Sequence, residues 1–129
     1  MRRMATMPWL DGQAEVPSVP ASAEDFARKV IFVICSASVT RSVGRQAYER
    51  CMRALGSGST ARIGFRHPGK ADAVDRIWHE REELFRAYLA SVDPRAFIAT
   101  LPWIGPVTCH SLTHLLALPE ATRDERAVA

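Results

Sequence analysis

The sequence predicts an all-α protein, a helical bundle of about five helices, on three observations. Apolar residues recur in several segments at the three- and four-residue spacing of a helix face, and no segment has the two-residue alternation of a strand. Capping residues and prolines stand where such helices would begin and end. The length of 129 residues, 47% of them hydrophobic, suffices for one core without metal or disulfide support.

The first helix is predicted to begin at Ser22, after a loose N-terminal arm. Residues 1–21 contain three prolines and a glycine with little periodicity, which is typical of such an arm. Ser22 followed three residues later by Asp25 is typical of a capped helix start. The helix after this cap is apolar around nearly its whole circumference, which predicts that it lies at the centre of the core. Its apolar residues are Phe26, Val30, Ile31, Val33, Ile34 and Ala37.

Two further helices are predicted in the middle of the chain. After a small polar break at 36–40, apolar residues at four-residue spacing predict a helix over 41–55, and Gly56 stands where a C-terminal cap glycine belongs. Residues 56–69 form a loop rich in glycine, serine and arginine. One long helix is then predicted over 70–90, with a buried stripe of aliphatic and aromatic side chains.

The last two helices are short and are joined by a tight turn. An aspartate and a proline at 93–94 are typical of a helix start, and this helix runs to about residue 100. A turn at 101–106 leads into a final helix over 107–118, which Pro119 ends. We therefore expect an arm at 1–21, a helical domain at 22–118 and a charged tail at 119–129.

Composition excludes several classes of protein. The three cysteines Cys35, Cys51 and Cys109 are odd in number and widely spaced, so they predict buried thiols and no disulfide framework or CxxC site. His110 and His114 share a helix face but have no third ligand nearby, so we expect neither a metal nor a cofactor. No signal peptide or membrane span is present in the sequence, so a soluble cytoplasmic protein is expected.

The basic residues are concentrated in the middle third of the chain. Residues 28–70 hold nine basic side chains, mostly arginine, against one acidic side chain, a net charge of +8, whereas the whole chain carries only +3. The guanidinium group of arginine can donate two parallel hydrogen bonds to a phosphate, which makes nucleic acid the first partner to consider. The alternative is a solvated helix face without a partner.

The segment Leu101-Pro102-Trp103-Ile104-Gly105-Pro106-Val107-Thr108 carries the functional argument. A glycine in such a turn can adopt a positive φ and expose backbone amides. Amides at the start of the next helix can bind a phosphate without any basic side chain. The absence of acidic and basic residues other than histidine over 96–119 is compatible with this mechanism. The alternative is a plain connector between two helices.

This octet resembles the helix-hairpin-helix of the endonuclease III-like DNA glycosylases, with the pattern Leu-Pro-Gly-hydrophobic-Gly-x-x-Thr. Upstream, Gly64-Phe65, Lys70-Ala71 and the segment Cys35-Ser36-Ala37-Ser38-Val39-Thr40 resemble motifs of that family, the last of them the loop that enters the DNA minor groove. The resemblance covers roughly residues 24–125 and implies a DNA-binding fold. It assigns phosphate binding to Leu101, Ile104, Gly105, Val107 and Thr108, and DNA contact to Ser38, Arg41, Arg45 and Lys70.

Departures from the family pattern limit the activities that the resemblance implies. Trp103 replaces the first hairpin glycine, and Ser38 is too short to fill the gap that an extruded base leaves. Val107 stands where bifunctional members have a lysine, so Schiff-base lyase chemistry is excluded. The iron–sulfur cysteines are absent. Asp124, 19 residues after Gly105, matches the catalytic aspartate but lies in a charged tail without apolar anchors.

The leading hypothesis is a DNA-binding protein of the base-excision glycosylase type, which hydrolyses the N-glycosidic bond of a damaged or mismatched base. It implies double-stranded DNA as partner, no membrane and no iron–sulfur cluster, and a nucleoid-associated location. The alternatives are a non-catalytic helix-hairpin-helix module, a truncated glycosylase whose closing helices are missing, and a small helical protein-interaction domain.

Overall fold

The computed structural model describes residues 15–63 and 67–118, and within these ranges it is all-α, as the sequence predicts. Six α-helices are present, together with a short 3₁₀ turn at Ala61–Ile63, and the described residues include no strand. The helices are α1 (Ala23–Ser36), α2 (Arg41–Gly56), α3 (Pro68–His79), α4 (Arg81–Ala90), α5 (Pro94–Ile98) and α6 (Pro106–Leu115).

Helix α1 is the centre of the core, which confirms the prediction from its composition. The Ser22 hydroxyl accepts a hydrogen bond from the Asp25 amide at 3.1 Å and caps the helix. Helices α2, α3, α4 and α6 all pack against α1. Its side chains at Phe26, Ile31 and Ile34 are fully buried, because partners cover every face of the helix.

The prediction of one long helix over 70–90 is wrong, because the helix is interrupted at Glu80. Residue Glu80 has φ −99° and ψ 14°, and it ends α3 and begins α4. Next to it, the Arg81 guanidinium donates to the Trp78 carbonyl at 2.6 Å and stacks over the Trp78 ring. Both α3 and α4 pack against α1, and the break lets Phe85 of α4 reach the Phe26 ring, 5.6 Å between centroids. Tertiary packing therefore overrides a continuous helical pattern.

The end of α2 also differs from the prediction. Gly56 is the last helical residue, and Ser57 is the cap. The left-handed backbone conformation is found at Gly58, with φ +86°. The cap glycine is thus two residues later than the sequence pattern suggests, because the helix extends one residue further and Ser57 continues it with bonds to three preceding carbonyls.

Residues 15–18 of the N-terminal arm contact the domain at three points. The Glu15 carboxylate is paired with Arg45 of α2, and the Val16 carbonyl accepts from the Lys29 ammonium of α1 at 2.7 Å. The Ser18 amide donates to the Leu115 carbonyl of α6 at 3.0 Å. Residues 15–18 therefore bridge three helices, whereas residues 1–14 and the tail 119–129 lie outside the described residues.

The two C-terminal helices are shorter than predicted. The Asp93 carboxylate caps α5 by accepting from the Ala96 amide at 3.2 Å, as its position suggests. Helix α6 ends at Leu115, and Ala117 has φ +57°, a left-handed conformation that stops the helix before Pro119. Within the described residues, no helix has both the length and the apolar composition needed to cross a bilayer.

Candidate nucleic-acid interface

The hairpin between α5 and α6 is anchored in the core but has a different backbone from the one expected. Leu101 is buried and Ile104 packs against the core, so these two residues fix the turn. Gly105 has φ −99° and ψ −172°, an extended conformation open to any residue, so the expected positive φ at this glycine is wrong. The left-handed residue is Trp103, with φ +67°. It stands at the position that the sequence resemblance gives to the first glycine of the family pattern.

Trp103 is held in this conformation by contacts with the start of α3. Its ring meets the His67 ring edge-on, 4.9 Å between centroids, and a Cβ at Gly69 would lie only 2.8 Å from the indole. His67 also caps α3, since its Nδ1 accepts from the Lys70 amide at 3.2 Å. The indole is still 43% exposed. The tryptophan therefore joins the hairpin to α3 rather than entering the core.

The first turn of α6 presents unbonded backbone amides. Pro106 has no N–H, and the first hydrogen bond of the helix is from Cys109 to the Gly105 carbonyl at 2.7 Å. The Val107 and Thr108 amides have no partner among the described residues, and no side chain caps this helix. Val107 is 80% exposed, and a Cβ at Gly105 would meet open space. This helix start is accessible to an anion, and its dipole favours one.

One open cleft joins this helix start to the loop between α1 and α2. Its volume is ≈ 1530 Å³, and its walls are α6, the C-terminal end of α1 and the α1–α2 loop. Predicted contacts from both motifs line it, about 70 residues apart in the sequence: Ser38, Arg41, Val107 and Thr108. It is also lined by Arg95, His110 and His114. The fold therefore brings the two sequence motifs to a single surface.

The α1–α2 loop is supported from beneath by Lys70. This ammonium donates to the Ala37 carbonyl at 2.5 Å, and the residue is only 6% exposed. Burial lowers the pKa of Lys70, and the nearby Cys35 partly opposes this effect. Above it, Ser38 has φ +65° and is exposed. Lys70 thus positions the loop in this structure instead of presenting its charge to a ligand.

The other two predicted cations differ in their surroundings. Arg41, the first residue of α2, is exposed in the cleft and has no carboxylate partner among the described residues. Arg45 is paired with Glu15 and with Glu49, the latter at 3.3 Å, and it does not line the cleft. We therefore include Arg41 in the interface and leave Arg45 out.

Ion pairs and burial account for much of the +8 charge of residues 28–70. Acidic side chains, most of them from outside this segment, pair with several of its arginines, and Lys29 is fully buried against the Val16 carbonyl. The pairs are Arg28 with Glu24 and Asp25, Arg45 with Glu15 and Glu49, and Arg62 with Asp72. The basic segment is thus not one continuous face.

The catalytic part of the prediction lies outside the described residues. Asp124 belongs to the tail, and Gly64 and Phe65 fall in the gap at 64–66. Among the described residues that line the cleft, the carboxylate is Glu15, which is paired with the Arg45 guanidinium. A carboxylate paired in this way is not placed to activate water in the cleft.

Sequence reasoning missed Arg95 and did not assign the histidines to this surface. Arg95 lies inside a five-residue helix and no motif singles it out, so nothing in the sequence indicated its position. His110 and His114 gave a signal, since four-residue spacing places them on one face of a helix. Within residues 15–63 and 67–118, no three histidine, cysteine or acidic side chains are close enough to hold a metal ion.

Comparisons of this chain with family models, with curated proteins and with solved structures found no match.

Proposed function

We propose that this protein binds double-stranded DNA through the cleft between α6 and the α1–α2 loop, as a member of the base-excision glycosylase type. The observation that carries the proposal is the single cleft that unites Ser38 and Arg41 with Val107 and Thr108. The sequence resemblance assigns both motifs to DNA, independently of where the fold puts them. If the segment 101–108 were only a connector between two helices, nothing would require the two motifs to line the same cleft.

The chemistry of the cleft suits a phosphodiester backbone. Backbone amides at Val107 and Thr108 can donate to one phosphate, and the exposed Arg41 can donate to another. Contacts of this kind hold a duplex without reading its sequence. The exposed loop tip at Ser38, in a left-handed conformation, fits the groove-entering role that the resemblance gives it.

Hydrolysis of the N-glycosidic bond is assigned to Asp124 by the resemblance alone. A carboxylate there would stabilise positive charge on the sugar and activate water as the base departs. Val107 at the lysine position restricts such an enzyme to monofunctional chemistry, since valine forms no Schiff base.

A non-catalytic DNA-binding module is the second candidate, and Glu15 favours it. Among the described residues, the carboxylate that lines the cleft is paired with Arg45. This part of the chain can therefore bind DNA but offers no general base. The two candidates share the same DNA-binding surface and differ only in whether a base is released.

The binding proposal is tested by fluorescence anisotropy with a labelled duplex between 50 and 200 mM salt. Each phosphate that is neutralised should lower the affinity about 3.5-fold over this range, and the two arginines that line the cleft, Arg41 and Arg95, should together account for about tenfold. Arg41→Gln should weaken binding and reduce the salt slope by about 1. Arg86→Gln, which removes the same charge from an exposed position on α4 outside the cleft, is the matched control and should bind more tightly than Arg41→Gln.

Equal losses in the two arginine variants would mean general charge attraction instead of a cleft. Absence of duplex binding at 50 mM salt would overturn the proposal. Base release is measured separately with duplexes that carry deaminated, alkylated or oxidised bases. Release that disappears in Asp124→Asn supports the enzyme, and binding without release from any of them supports the module.

A further inference from the structure

The cleft contains two histidines that the hairpin mechanism does not use. His110 and His114 are exposed, lie one turn apart on α6 and both line the cleft. A spacing of four residues puts side chains about 5–6 Å apart on one helix face. The pair therefore continues along α6 from the unbonded amides of Val107 and Thr108, in the direction of the helix axis.

The charged groups that face these histidines are few. Of the elements that pack against α6, α1 lines the cleft with uncharged side chains, α5 with Arg95, and the N-terminal segment with Glu15. The start of α2 adds Arg41, and Arg45 already neutralises Glu15 from outside the cleft. Among the described residues that line the cleft, the net charge is thus +1 with neutral imidazoles and +3 with both protonated.

We propose that His110 and His114, when protonated, bind a backbone phosphate of the DNA next to the one held by the hairpin amides. This inference rests on the proposed function and adds a second phosphate subsite and a pH dependence to it. An imidazolium donates from both ring nitrogens, and a bond from a cation to a phosphate oxygen is among the strong ones. Protonation adds the positive charge that binds the phosphate, so DNA affinity rises as the pH falls from 8.0 to 5.5.

The alternative uses of a histidine pair do not fit this position. A metal site needs further ligands, and no third histidine, cysteine or acidic side chain among the described residues is close enough to complete one. A packing role needs burial, and both side chains are exposed. The described lining of the open cleft around them carries a net charge of +1, and an anion is the ligand that such a lining favours.

The test is duplex affinity from pH 8.0 to pH 5.5, measured by anisotropy with the full chain at one ionic strength and, at the two end pH values, also between 50 and 200 mM salt. Affinity should rise at least about tenfold toward pH 5.5, and the salt slope should steepen by about 0.9, since the histidine pair adds one phosphate contact. The double variant His110→Gln/His114→Gln should lose most of both effects. The control His79→Gln, on α3 and outside the cleft, should keep them.

Circular dichroism at both pH values shows whether each variant is folded. Binding that does not change with pH, or a pH dependence that the double variant retains in full, would overturn this inference and leave the DNA-binding proposal standing. Absence of duplex binding by the parent protein at every pH would instead overturn the proposed function.

Discussion

At the scale of single residues, Gly105 is not required by the fold. Its backbone is extended, with φ −99°, and a Cβ there would meet no atom within 4 Å. Trp103, by contrast, adopts the left-handed conformation that L side chains disfavour, at a cost of about 1–2 kcal/mol. Its contacts with His67 and Gly69 offset that cost. A glycine at 105 therefore leaves the approach to the Val107 and Thr108 amides open, which the proposed phosphate contact needs.

We expect Gly105→Ala to leave the stability unchanged and to weaken DNA binding about tenfold. The added methyl group is accommodated in the free protein but stands where a phosphate would approach the helix start. The free energy of unfolding, from thermal unfolding, should agree with that of the parent within about 0.5 kcal/mol. Anisotropy measures the loss of DNA affinity. Parent-like DNA binding in this variant would contradict the hairpin as a phosphate site.

At the scale of elements, the contact between α1 and α2 sets the shape of the cleft. Gly44, inside α2, lies against the end of α1, and a Cβ there would be 2.8 Å from the Ser36 Cα and 2.6 Å from its hydroxyl. A glycine inside a helix costs about 1 kcal/mol relative to alanine. Here it permits the close approach that positions Ser36 and the loop above Lys70.

Gly44→Ala should destabilise the protein by about 1–2 kcal/mol, in spite of the higher helix propensity of alanine. The methyl group forces α1 and α2 apart, and this overpacking outweighs the propensity gain. Chemical denaturation measures the loss, with the exposed neighbour Gln46→Ala as a control that should remain within about 0.5 kcal/mol of the parent. A more stable Gly44→Ala variant would show that α1 and α2 are not in close contact here.

At the scale of the whole molecule, the pH dependence of stability above pH 10 reflects a buried phenol, that of Tyr48. Tyr48 is 2% exposed, its ring meets Phe32 edge-on, and its hydroxyl has no hydrogen-bond partner among the described residues. Burial raises the pKa of Tyr48 well above its usual value, and Arg28 opposes this effect. The unfolded chain ionises this phenol near pH 10 while the folded chain keeps the proton. The stability is thus complete below about pH 10 and falls as the pH rises toward the raised folded pKa.

Tyr48→Phe should raise the free energy of unfolding by about 1 kcal/mol at pH 7, because it removes a buried hydroxyl without a partner. Its advantage over the parent should grow above pH 10, by up to about 1.4 kcal/mol for each pH unit. Urea denaturation of both proteins at pH 7 and pH 11 measures the difference. Lys29 and Lys70, whose pKa burial lowers, stabilise with rising pH, but they are common to both proteins and cancel. An advantage that stays constant with pH would contradict the assignment to Tyr48.

Local physical chemistry by itself determined the helical class and most helix starts. The caps at Ser22 and at Asp93, with the proline that follows it, involve residues within one helical turn, so they can be predicted without tertiary information. The apolar circumference of residues 23–36 likewise required a central position, since no other place buries every face of a helix.

Only the tertiary structure decided the break at Glu80, the burial of Lys70 and the joining of the two predicted motifs in one cleft. The interruption at Glu80 arises because α3 and α4 both pack on α1. Arg45 does not line the cleft, and its guanidinium is paired with Glu15, 30 positions away in the sequence. Each of these depends on partners distant in sequence, which local periodicity and charge counts do not contain. The sequence indicated which residues could bind phosphate, and the packing of α6 beside the end of α1 decided which of them share a surface.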